Sequence, residues 1–373
     1  GLLDRWPVQG PKLIWTAQAM GRGFASIAIA EGCIYTTGSI ENDTVITCLT
    51  PKGQLKWKVN NGPAWKHPSP GTRGTPTLDQ GRLYHENAVG DLLCLDAQSG
   101  KAIWSRNILR EFNGCNIEWG LSESLLIDGD HVICTPGGET AGVVALDKRM
   151  GKTVWICPDT GDKPGYASPI VFEYQGLRQI VLFMAKSVLG IHAETGRLLW
   201  QVKHETPFDE NINRPVFYKG LVIVASRTSG ARALRLRVEG EQVSVEQVWT
   251  SDLLEPQHGG MLLWDGHIYG ACRQAKLGPW VCLQAGSGKR LYAEEGIGTG
   301  SLTYADGHVY ALSQKGIMAL IQATPARFNI ISQFKLPSRG RGPFWAHPVV
   351  AHGRLYIRHD DFLYCYDIKD DSP

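Results

Sequence analysis

The chain has 373 residues, 43% of them hydrophobic, which excludes an intrinsically disordered protein. Lys+Arg 38 against Asp+Glu 36 leaves a formal charge of +2, so the composition makes no electrostatic case for a nucleic-acid groove or a polybasic membrane face. The longest apolar run, Ile180–Ala185, is far shorter than the ~18 residues of a membrane-spanning helix.

The chain opens Gly-Leu-Leu-Asp-Arg-Trp-Pro and carries no secretory signal. A start at Gly is what trimming of an export signal or anchor leaves behind. Pro11-Lys12-Leu13-Ile14-Trp15 reads as a first short strand. Beyond it, Gly-x-x-x-Trp recurs at Gly53/Trp57, Gly100/Trp104, Gly151/Trp155 and Gly196/Trp200, with Gly288/Tyr292 as a variant. Trp249 and Phe334 are expected to fill the same place in two degenerate copies. The aromatic spacing of 42 to 51 residues calls for a repeat architecture.

The clearest copy is 74–108. Thr75–Asp79, Arg82–Asn87, Asp91–Asp96 and Ala102–Ser105 read as strands. Turns at Asp-Gln-Gly, Ala-Val-Gly and Gln-Ser-Gly separate them. Four strands in ~45 residues make a propeller blade. Copies run about 24–59, 74–108, 120–158, 165–204, 212–252, 258–296, 298–337 and 346–370. The eighth stops after three strands, at Tyr364-Cys365-Tyr366-Asp367. Residues 11–18 supply the missing fourth strand, since Trp57 lies one period beyond Trp15. The expected fold is all-β: a single domain over 1–373, an eight-bladed propeller of four-stranded antiparallel blades, its N-terminal strand closing the last blade. That closure pairs two strand edges that would otherwise be open.

The repeated aromatic is read as a wedge between blades, worth roughly 2–3 kcal/mol by buried area. Asp96, Asp147 and Asp367 share the position before the turn glycine and are read as turn caps. Cys48, Cys94, Cys282 and Cys365 share a slot for a small buried residue. Cys115 and Cys157 alone lie in or beside loops. No Cys-x-x-Cys occurs, so a haem attachment site and a zinc ribbon are unsupported. Asn42-Asp43-Thr44 matches a glycosylation sequon and is read as a hairpin turn.

The segments Leu95-Asp96-Ala97-Gln98-Ser99-Gly100-Lys101-Ala102-Ile103-Trp104, Leu146-Asp147 with Gly151–Trp155, and Ala193–Trp200 carry a resemblance. They are similar to the quinoprotein-type, or PQQ-like, repeat of the quinoprotein alcohol dehydrogenase-like family. The resemblance implies an eight-bladed propeller in a bacterial protein exported to the periplasm or cell envelope. Family members include quinone-dependent alcohol dehydrogenases, an outer-membrane assembly lipoprotein and sensor ectodomains. The dehydrogenases imply PQQ with calcium, and a pair of adjacent cysteines over the quinone. This chain has no adjacent cysteines. Its crude candidate for the calcium set is the loop Asp209-Glu210-Asn211-Ile212-Asn213-Arg214.

The segments joining one blade to the next should converge on one mouth of the channel. They carry Arg22, Trp65, Arg73, Glu118, Trp119, Tyr166, Arg214, His258, Trp345 and His347. Arg forks onto carboxylate or phosphate, and indole rings stack on flat ligands. These residues are the candidate ligand-binding set, for a protein partner or for an anionic or aromatic small molecule. The leading expectation is a binding scaffold. A quinone (PQQ)-dependent dehydrogenase acting on an alcohol or sugar is the first alternative, and a sensor ectodomain of a larger receptor the second.

Overall fold

The computed structural model describes residues 1–158, 160–273, 280–337 and 339–370. Eight four-stranded antiparallel sheets span 28–63, 77–107, 126–157, 170–203, 216–251, 262–294, 300–335, and 349–367 with 12–17. Within seven of them strand order follows the chain. In the eighth, Lys12–Ala17 pairs antiparallel with Phe362–Asp367, so the two ends of the chain share one blade and close the ring. In six blades the first strand is three residues long and mostly half-buried, and several neighbouring first strands touch. They form the channel wall, while the partly exposed fourth strands lie outermost.

The cysteine slot and the wedge meet in one row. Tyr35–Cys48–Trp57, Tyr84–Cys94–Trp104 and Tyr269–Cys282–Tyr292 lie side by side across strands two, three and four. A small residue in the middle lets the two large rings flank it. The rings then seal the gap to the next blade. Trp57 Nε1 donates to Ala97 O at 3.2 Å, Trp104 Nε1 to Lys148 O at 3.1 Å, and Trp249 Nε1 to Ala285 O at 3.0 Å. Trp15 Nε1 reaches Pro51 O at 3.2 Å, carrying the pattern across the closure. The turn glycine of the following blade lies on the ring for Trp15, Trp57, Trp104, Trp155 and Trp249. A Cβ on Gly100 would sit 2.8 Å from the Trp57 ring. The repeat Gly and Trp therefore form one contact between blades.

Blade seven departs from the expectation. The register puts Ser332, not Phe334, opposite the small slot at Leu320, and Phe334 lies two residues further along. Trp6, from the segment before the first strand, supplies the missing ring. It packs 5.5 Å from Phe334 and 5.8 Å from Tyr310 and is almost fully buried.

The aspartate slot caps turns as expected. Asp96 Oδ1 accepts from the Ser99 N–H at 2.8 Å, and Asp147 Oδ1 from the Met150 N–H at 2.7 Å. The strand Leu55–Pro63 runs further than the sequence suggests, taking in Asn61-Gly62-Pro63. A one-turn helix, Ile108–Glu111, begins the connection after blade two, with Asn107 as its cap.

Candidate functional site

Chain direction fixes which ends of the strands meet. Each first strand runs away from the mouth and each second strand runs back to it. Blade-to-blade connections and the loops between strands two and three therefore share one end of the ring.

At that end lies a cavity of about 590 Å³. Arg73, Glu118, Trp119, Tyr166, His258 and Trp345 line it, all from residues entering a first strand or from the connection before one. Phe24, Ser69, Ser122, Phe208, Glu210, Ile212, Arg227 and Gln257 complete the wall. Arg227 comes from the end of a second strand. The sequence reading looked only at connections between blades, so it passed over this residue. The alternating course of the strands was the signal that would have found it.

His258 stacks on Trp345, ring centroids 3.8 Å apart and planes 14° from parallel. Phe24 leans on the same indole at 4.9 Å. Burial first, then the charges of Arg273, Arg73 and Arg227, push the His258 pKa down to about 3, so its ring is neutral at pH 7. Arg73 donates to the carbonyls of Ser69 at 2.7 Å and Gly71 at 3.1 Å. Among the described residues no carboxylate pairs with it, and burial lowers its pKa to about 10. Arg227 does have a partner, Glu210, at 3.3 Å. Glu118 is exposed. The buried Tyr166 hydroxyl accepts from the Trp119 N–H at 3.3 Å, and burial raises its pKa. The indole nitrogens of Trp119 and Trp345 and Nδ1 of His258 have no partner among the described residues. The wall thus offers aromatic side chains and one guanidinium without a paired carboxylate among the described residues.

The other four sequence candidates lie elsewhere. Arg22 exchanges backbone hydrogen bonds with Ser39 and its carbonyl accepts from Thr72, lacing the entry of blade one. Trp65 donates to Pro68 O at 2.9 Å and packs on Gly120, closing its own loop. Arg214 and His347 sit deeper, in a second chamber of the channel of about 600 Å³. Tyr166, Ile212 and His258 border both spaces. Trp280, also off the repeat, stacks on Phe328 at 5.3 Å and donates to Gly298 O.

Most polar side chains of the loop 209–214 are engaged by the protein itself. Asn211 Nδ2 donates to Met184 O at 2.8 Å and Ala185 O at 2.9 Å, while its Oδ1, the atom a calcium ion would need, has no partner among the described residues. Asn213 binds Ala225 O and Pro256 O through Nδ2, and its Oδ1 accepts from the Gly260 N–H at 3.1 Å. Glu210 is held by Arg227. These side chains staple blade entries together. Among the described residues no group of three or more His, Cys, Asp or Glu converges as metal ligands. Ser226 Oγ and a His204 ring nitrogen lie 2.8 Å apart, but both are fully enclosed and neither lines the cavity.

No helix among the described residues is long and apolar enough to cross a membrane. Residues 41–294 match the profile of a family described as outer membrane protein assembly factor BamB. No curated protein matches the sequence. Similar solved structures include BamB from Moraxella catarrhalis, at 15% identity and TM-score 0.67, covering 97% of this chain and 98% of that one. A europium-containing methanol dehydrogenase shares 13% identity and TM-score 0.67 over 93% of this chain and 84% of its own. The quinohemoprotein alcohol dehydrogenase from Comamonas testosteroni shares 14% identity and TM-score 0.65 over 97% and 77%. At these identities the structural likeness speaks for the fold, while the profile match covers more than half of the sequence, so this chain belongs to the PQQ-like propeller family.

Proposed function

We propose that this protein is a binding propeller that takes a small anionic ligand with a flat ring in its mouth cavity. The observation that carries the reading is Arg73, a guanidinium without a carboxylate partner among the described residues, beside the Trp119 and Trp345 faces. A partly desolvated cation gains a counter-charge from an incoming carboxylate, and the aromatic wall packs against the ring. The cavity volume suits a ligand of roughly drug size. The family description, an outer-membrane assembly factor, supports an exported protein of a bacterial envelope. It also makes a peptide side chain carrying the same chemistry an acceptable occupant.

The test is a titration with 1-naphthoate and, separately, with PQQ in the presence and absence of calcium. Heat and Trp fluorescence are followed, and dye-coupled ethanol oxidation is assayed in parallel. Flat carboxylates should bind at micromolar concentration without calcium, and Arg73→Gln should weaken them at least tenfold. Turnover with PQQ and calcium would replace the scaffold reading by that of a quinone dehydrogenase. Failure of every flat anion to bind would end the small-ligand reading.

A further inference from the structure

The second chamber, below the Tyr166, Ile212 and His258 border, has a charge pattern unlike that of the mouth. Its walls are mostly aliphatic, with Val216, Met261 and Leu302 contributed by three different blades. Its one cation is Arg214, at the entry to the first strand of blade five. No Asp or Glu lines the chamber, and among the described residues no hydrogen bond or ion pair holds this guanidinium. Arg214 is exposed to water in the channel, and the protein around it desolvates it enough to lower its pKa. An exposed guanidinium needs no protein partner, and an incoming anion would meet this one without displacing a carboxylate. The polar groups nearby do not serve. Asn213 is spent on backbone groups, and the His347 ring nitrogen is engaged with His258 O at 3.2 Å.

We propose that this chamber is a second binding site, for a monocarboxylate with an aliphatic body, its head on Arg214 and its chain along the Val216, Met261 and Leu302 walls. The head pairs with the unpartnered guanidinium, and the body displaces water from apolar surface. A compact anion such as inorganic phosphate would satisfy the first need alone. The site is independent of the mouth reading, because it uses neither Arg73 nor the Trp119 and Trp345 faces.

The experiment is a thermal-shift and calorimetric titration of the whole protein with octanoate, acetate and inorganic phosphate. Octanoate should raise the melting temperature and bind at least tenfold more tightly than acetate or phosphate. Arg214→Gln should melt no lower than wild type without ligand and lose at least tenfold in octanoate affinity. Met261→Trp, which keeps the charge but fills the chamber, should lose it as well. Arg73→Gln should leave octanoate binding unchanged. No octanoate binding at 5 mM, equal binding by Arg214→Gln, or loss in Arg73→Gln instead, would each overturn the proposal. Phosphate binding as tightly as octanoate would overturn the aliphatic body.

Discussion

The backbone N–H of Trp6 donates to the hydroxyl of Ser332 at 3.0 Å, across the boundary between the N-terminal segment and blade seven. Ser332 stands where other blades carry their wedge aromatic, and the Trp6 ring fills the space it leaves. A segment 326 residues away in sequence thus completes a repeat position. Trp6→Ala should cost about 3–5 kcal/mol, as expected for a large aromatic lost from a packed core. Urea titration would show it as a lower midpoint. Deleting residues 1–18 should lower stability further and for the whole ring, in one transition, because it also strips the strand paired to Phe362–Asp367. Unchanged midpoints in both proteins would contradict the closure.

Glu86 gives a pH signature. It is 4% exposed, and neither of its oxygens has a partner among the described residues. Burial, then the nearby Glu123 charge, holds its pKa well above the ordinary 4.5. The unfolded chain releases this proton near the ordinary value. The folded chain keeps it to higher pH, so stability falls as pH rises above about 4.5. Glu86→Gln lacks this penalty. Its melting temperature should therefore gain on wild type between pH 5 and pH 8, with a limiting slope of about 1.4 kcal/mol per pH unit. The neutral, buried His85, with a pKa of about 4, destabilises at low pH in both proteins and cancels in the difference, whereas Glu123, raised to about 7 by burial, titrates together with Glu86, so the difference reports the pair. A difference that does not change with pH would refute the assignment.

Gly190 holds the small slot of blade four, where blades three and five carry Ala145 and Ala233. A Cβ there would lie 2.2 Å from Trp200 Nε1. That indole turns inward to Gln179 Oε1 at 2.9 Å instead of reaching the next blade. The cause lies in blade five, whose outer hairpin, Gly230–Glu239 with Gln242–Ser251, is long and puts its turn at Gly240 beyond reach. Gly190→Ala should cost about 1–3 kcal/mol by overpacking. Ala233→Gly should cost nearer 1 kcal/mol. Paired denaturation curves test the order, and a harmless Gly190→Ala would count against the indole position.

Thiol chemistry should be selective. Cys115 is half-buried, and the other eight cysteines are buried. Burial raises the thiol pKa of Cys94, Cys157 and Cys365 to about 11, and those of Cys48 and Cys282 to about 12. Iodoacetamide at pH 8 should label Cys115 first in the native protein, read by peptide mass. Early labelling of Cys157 would contradict its full burial at the end of its strand.

The ring was legible in the sequence because its signal is periodic and local. Gly100 and Trp104 sit four residues apart, and each copy repeats the pair for the same physical reason. Trp6 was not legible as a wedge, since nothing local marks a residue whose slot lies in blade seven. The mouth was legible in part. Arg73, Tyr166, His258 and Trp345 each stand four residues before a first strand, so topology groups them. Arg214 and His347 stand two residues before theirs and lie in the deeper chamber, an offset that reading by connecting segment does not resolve. Trp65 looked like a binding residue because it interrupts the repeat, but its indole binds its own loop.

The shared eighth blade ties completion of the fold to the order of synthesis. Lys12–Ala17 is synthesised before the other blades and its partner Phe362–Asp367 after them. Until Phe362–Asp367 has been made, the nascent ring carries an unmatched strand at one side and an open edge at the other. A product terminated before that strand can never join them, which makes the seam a built-in mark of a completed ring.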